Sequence, residues 1–91
     1  MLGKAKTHPN LIFGKVLREL RAKHALTQEK LAFEANLQRN YVSLIERGIN
    51  QPTITTIFKL AVALKIQPSV MIRMVEKELS DCAHDIAAPN Q

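Results

Sequence analysis

Residues 27 to 48, TQEKLAFEANLQRNYVSLIERG, set two short amphipathic stretches on either side of a break too short to let them drift apart. Thr27 is suited to cap a helix, with Glu29 in the first turn where the helix dipole favours an anion. Leu31, Ala32 and Ala35 follow at helical spacing. Asn36 tolerates the left-handed conformation that a sharp helix stop needs. Leu37 returns toward a core, and Gln38 opens a second helix carrying Val42 and Ile45 before Gly48 ends it. The two apolar faces must then share one core, which fixes the angle between the helices. The pattern is a helix-turn-helix.

The rest of the chain bounds what that motif can belong to. Ninety-one residues suffice for one domain with a modest core. No stretch shows the alternation of a strand. A single cysteine, Cys82, excludes an internal disulfide framework and fits a reducing, cytoplasmic setting. No run approaches the ~18 apolar residues of a membrane span, and the basic start MLGKAKTHPN lacks the apolar stretch of a secretory signal. The net charge of +5 is unevenly placed. Residues 1 to 48 hold nine Lys or Arg against four acids, whereas residues 49 to 91 hold four of each. The excess therefore lies in the half that carries the motif, where it would attract a polyanion.

Five helices are expected. Leu11, Phe13, Val16, Leu17 and Leu20 form the stripe of the first, starting after the His8-Pro9-Asn10 break and running to about His24. The motif supplies the second and third. Thr53 can cap a fourth carrying Ile54, Ile57, Leu60, Ala61 and Leu64. Pro68 is tolerated in the first turn of a fifth, about 68–79. The chain divides into a flexible basic arm (1–10), a DNA-binding domain (11–79) and a tail (80–91) expected to be disordered. The fifth helix is too apolar for one face. Met71, Ile72, Val75 and Leu79 share one side, whereas Val70 and Met74 point elsewhere. The surplus suits either a symmetric dimer, through Val70, Met74, Val75 and Leu79, or a core approached from a second angle.

The third helix offers a surface for reading DNA. With Val42 and Ile45 inward, at ~100° per residue, Asn40, Ser43, Leu44 and Arg47 gather on the opposite side. Gln38 and Arg39 sit at the N-terminal tip, which enters the major groove first in this docking. Arg39 suits guanine, and Asn40 or Gln38 suits adenine, each through paired hydrogen bonds. Leu44 either meets a thymine methyl or bends back to the core. Tyr41, Arg47 and Asn50 are phosphate-contact candidates, as is Gln28 at the start of the second helix, where free backbone N–H groups favour an anion.

The runs L-R-E-L-R (17 to 21), L-T-Q-E-K-L-A (26 to 32), Y-V-S-L-I-E-R-G (41 to 48) and P-T-I-T-T-I-F-K-L-A-V-A-L (52 to 64) resemble the Cro and phage-repressor type of helix-turn-helix, the XRE family. The resemblance covers about residues 11 to 79. It implies an all-α, compact five-helix, lambda-repressor-like domain that binds an operator in double-stranded DNA, usually as a homodimer, and regulates transcription. It implies that Gln28 holds a phosphate and that Gln38, Arg39, Asn40 and Leu44 occupy base-reading positions. It also implies an ion pair between Arg21 and Glu46, two residues that periodicity alone would leave solvated. Ala25 and Asn36 stand where the family often has glycine, so a positive φ at Ala25 would cost ~1 kcal/mol. The compact size is similar to controller proteins of restriction-modification systems, to small prophage regulators and to antitoxins. RNA polymerase or a toxin would be the further partner in these roles.

Enzyme chemistry has little to rest on. His8, His24 and His84 are dispersed, no Cys–His spacing suggests zinc, and no nucleophile triad or phosphate-binding glycine loop is present. Asp81, Cys82, His84 and Asp85 cluster only in the tail. No cofactor, metal or membrane partner is expected. The alternative to a DNA regulator is an interaction module of antitoxin type, which would co-purify with the protein it binds.

Overall fold

The computed structural model describes residues 8–82, and these form five helices: α1 Pro9–Lys23, α2 Gln28–Ala35, α3 Arg39–Glu46, α4 Ile54–Ala63 and α5 Pro68–Cys82. Pro9 is itself the first residue of α1, not part of a break before it. Its fixed φ suits a helix start and its missing N–H would have had no partner there. Thr27 and Thr53 cap α2 and α4 as their positions suggest, accepting from the backbone N–H of Lys30 and Thr56. The fifth helix continues through Ser80 and Asp81 to Cys82, so the domain runs about a turn past the expected boundary at 79. The remainder of the tail, with His84 and Asp85, and the arm up to Thr7 lie outside the described residues.

Helices α1 to α4 all end the same way. A residue with positive φ follows each: Ala25 (56°), Asn36 (59°), Gly48 (74°) and Lys65 (56°). The N–H one position later reaches back to a carbonyl five residues upstream, from Leu26 to Arg21, Leu37 to Ala32, Ile49 to Leu44 and Ile66 to Ala61. This closure satisfies carbonyls that a helix end would otherwise leave open. Leu26, Leu37 and Ile66 then pack against the core. Only one of the four positions is glycine. Gly48 needs to be, because a Cβ there would run into the Leu11 side chain.

The core is built from Leu17, Leu31, Val42, Ile45, Leu60, Leu64 and Met71, all fully enclosed. Helix α1 packs on α5 and α3, α2 on α3 and α4, and α4 on α5. Gly14 lies at the α1–α3 contact, where a Cβ would stand 2.5 Å from the carbonyl oxygens of Ile45 and Glu46. Two expected core residues lie at the surface. Leu11 is exposed beside Gly48, and Ile54 is on the outer side of α4. The apolar residues of α5 are partly internal, with Ile72 left exposed. Val75 is buried in the chain's own core, 7% exposed, while Met74 and Leu79 pack against that core. Val75 is thus corrected from a dimer-surface residue to a core residue, and Val70 is half-buried.

Candidate nucleic-acid interface

Helix α3 is anchored by Val42, Ile45 and Glu46, the last only 4% exposed. Burying those three leaves a tip and an outer face. Gln38, Arg39 and Asn40 are exposed at the tip, Arg47 is exposed at the far end, and Ser43 and Leu44 are half-buried between them. Gln38 occupies the N-cap position without using its side chain as a cap. Among the described residues, Arg39 and Arg47 have no hydrogen-bond or ion-pair partner within the chain. An unpaired guanidinium beside two free amides is well suited to the acceptor-rich edge of a base pair or to a phosphate.

What holds this surface in place is one carboxylate. Arg21 Nε donates to Glu46 Oε2 at 2.6 Å and Arg21 Nη2 donates to Oε1 at 3.1 Å, a two-pronged pair. Gln28 Nε2 donates to the same Oε1 at 2.9 Å. Arg21 Nη1 also donates to the carbonyl of Leu26 at 2.9 Å, and Arg18 Nη1 to the backbone carbonyl of Glu46 at 3.4 Å. Helices α1, α2 and α3 therefore meet at Glu46. The hydrogen bond to Glu46 holds the Arg21 guanidinium above its ordinary pKa, burial opposes the shift, and the charge of Glu46 adds to it. The Gln28 bond is absent from any sequence pattern, since its partner lies eighteen residues away on another helix. It leaves the second amide hydrogen of Gln28 for an external acceptor.

Tyr41 is half-buried with its ring against the core, and its hydroxyl lies 3.3 Å from that of buried Thr56. Thr53 Oγ1 donates to Thr56 Oγ1 at 3.0 Å. Either hydroxyl can donate between Tyr41 and Thr56; when Thr56 donates, the phenol proton is left for an acceptor outside. Asn50 is half-buried, with its backbone N–H bonded to Leu44. The loop that holds it is tied to α1 by Asn10 Nδ2, which donates to the carbonyl of Gly48 at 2.6 Å. Leu44 is half-buried and is not one of the partly buried residues that pack on the core. Among the described residues, no group of three or more His, Cys, Asp and Glu could hold a metal ion, and no single helix is long and apolar enough to cross a membrane.

Comparison with known proteins agrees with this geometry. A family profile described as helix-turn-helix matches residues 17–71. Control protein C.BamHI of Bacillus amyloliquefaciens is 43% identical over 63 residues, covering 68% of this chain and 78% of that protein. The crystal structure of the restriction-modification controller protein C.AhdI from Aeromonas hydrophila matches at TM-score 0.67 and 45% identity, over 68% of this chain and 94% of that one. The controller protein C.Esp1396I, solved as a tetramer in complex with its natural 35-base-pair operator, matches at TM-score 0.72 and 31% identity, over 78% and 93%. The chain belongs to the helix-turn-helix family of transcription regulators, XRE type, together with restriction-modification controller proteins.

Proposed function

We propose that this protein is a sequence-specific regulator that acts as a homodimer on a palindromic or pseudopalindromic operator in double-stranded DNA, with α3 in the major groove. The observation that carries this is the pairing of an enclosed inner face on α3, Val42, Ile45 and Glu46, with a free polar tip at Gln38, Arg39 and Asn40. A helix anchored so firmly presents its outer groups at fixed positions, as base readout requires. Arg39, Asn40 and Gln38 read base edges, with Ser43 and Leu44 behind them in the groove. Gln28, Tyr41, Arg47 and Asn50 hold phosphates and set the register. The named relatives favour control of restriction-modification genes as the biological role.

Selection of bound duplexes from a random pool at ~150 mM salt tests the proposal, because non-specific affinity weakens as salt rises. The expected outcome is a two-fold symmetric consensus with half-sites about 34–36 Å apart, one helical turn or a multiple of it. Binding of the starting pool as tightly as the selected pool would leave only electrostatic attraction and overturn specific recognition.

A further inference from the structure

The loop between α3 and α4, residues 47–53, is held by few contacts. The backbone N–H groups of Ile49 and Asn50 share one acceptor, the carbonyl of Leu44, at 3.0 and 3.3 Å. Among the described residues, one hydrogen bond reaches the loop from a helix other than the two it joins, from Asn10 Nδ2 on α1 to the carbonyl of Gly48. At 2.6 Å it is short for a bond of this type. Gly48 turns with a φ of 74° and lies against the Leu11 side chain, so the loop starts out resting on the first turn of α1. The fold has other means of joining α1 to α3. Gly14 packs on two α3 carbonyls, and Arg18 and Arg21 both bond to Glu46. Nor does α1 call for an asparagine at this position, since the N-cap is His8 and asparagine is an indifferent helix former. Two residues beyond Gly48, the Asn50 side-chain amide has no partner among the described residues. Its two donors suit a phosphate oxygen.

We propose that Asn10 is a positioning residue for DNA binding: by fixing the Gly48 carbonyl it holds the Asn50 amide in place for a backbone phosphate. The proposal rests on the reading of Asn50 as a phosphate contact, and it adds a residue that itself touches no DNA. Without the tether the loop is still closed on Leu44, but Asn50 must be ordered at the moment of binding, and that ordering costs affinity. The effect is blind to sequence, because a phosphate contact carries no base information. It is also specific to one partner. Removing the tether weakens binding only through Asn50, so the tether has no value to a protein that lacks the Asn50 amide.

A double-mutant cycle with Asn10→Ala and Asn50→Ala in the full chain tests this, read by titration of fluorescently labelled duplexes. One duplex is selected from the random pool and the other has random sequence, which keeps the test independent of base recognition. Asn10→Leu joins the set as a variant of similar shape without a donor. Far-UV circular dichroism and a urea titration establish that each variant is folded. Asn50→Ala is expected to weaken binding to both duplexes roughly 10-fold, the worth of one hydrogen bond to a charged group. Asn10→Ala and Asn10→Leu are expected to weaken both by about 5- to 10-fold, with the salt dependence unchanged because a neutral amide releases no counterion. The double variant is expected to bind within about 2-fold of Asn50→Ala alone. Losses that multiply in the double variant give Asn10 an effect independent of Asn50 and overturn the positioning role. Asn10 variants that bind like wild type overturn it as well, while the Asn50 contact stands. Wild-type binding by Asn50→Ala removes the phosphate reading of Asn50 and the positioning role together, and leaves recognition by α3 untouched.

Discussion

Truncating Glu46 to alanine isolates the contribution of the carboxylate on which three helices converge. The substitution removes both prongs of the Arg21 pair and the acceptor of Gln28. Losing one partner of a buried pair costs about 3–5 kcal/mol, because the other charge stays behind uncompensated. Arg21 retains its bond to Leu26, and 18% of its side chain reaches solvent, which places the loss near the lower end, ~3 kcal/mol. In a domain of this size that corresponds to a fall of ~12–24 °C in Tm. The chain has no tryptophan and one tyrosine, so urea unfolding is best followed by circular dichroism. Protomer concentration is held fixed, because association with a second copy would shift the midpoint. Replacing both partners with apolar residues, Arg21→Met with Glu46→Leu, is expected to restore most of the loss, since a well-packed apolar pair carries no desolvation penalty. The arginine side of the pair adds no pH dependence near neutrality. A cation whose pKa is raised by folding contributes fully below its unfolded pKa and loses that contribution only as pH rises through the folded value, here in strong alkali. A cost under ~1 kcal/mol for Glu46→Ala, or a double variant as unstable as the sum of the singles, would refute the reasoning.

Gly14→Ala is expected to destabilise by about 2–3 kcal/mol or prevent folding, because the new methyl would meet two backbone carbonyls of α3 that cannot step aside; thermal melts give the answer. Ala25→Gly is expected to stabilise by ~0.5–1 kcal/mol, since it relieves a left-handed residue but frees the unfolded chain, and a shift of the urea midpoint measures it. Arg39→Ala is expected to cost ~1–3 kcal/mol at one base position in binding to a set of singly altered operators. Gln28→Ala should instead weaken all of those duplexes alike, in titrations run well below its lowered Tm, because it also removes the bond to Glu46.

The elements were legible because their signals are local. Thr27 and Thr53 announce helix starts through a contact three residues on, and Asn36 announces a stop through its own tolerance of positive φ. Lys65 carries the same left-handed closure with no such signal, because the geometry there is imposed by the packing of Ile66 rather than by the residue itself. The tip of α3 was legible because two inward residues fix the direction of every other. Ile54 was misplaced for a related reason. On a helix with apolar residues over more than half its circumference, periodicity leaves the boundary between core and surface open, and only packing against α2 and α5 decides it. Val75 on α5 was misplaced in the same manner, because the residues of that helix reach the core from both flanks, with Val75 buried in it and Met74 and Leu79 packed against it. Long-range polar contacts, Gln28 to Glu46 and Asn10 to Gly48, had no signal at all.

The shared acceptor at Glu46 has a consequence for the DNA rather than for the protein. Gln28 and the reading end of α3 are held a fixed span apart, because α2 is tied to α3 at one end by the short turn through Asn36 and Leu37 and at the other by the Glu46 side chain. On the proposed reading such a protein acts as a calliper. A duplex whose groove is too wide or too narrow must flex to fit the jaws, and the energy of that flexing depends on base steps that no side chain reaches. Preference should therefore extend to untouched positions between the half-sites, and stiffness would be spelled there as surely as hydrogen bonds are spelled elsewhere.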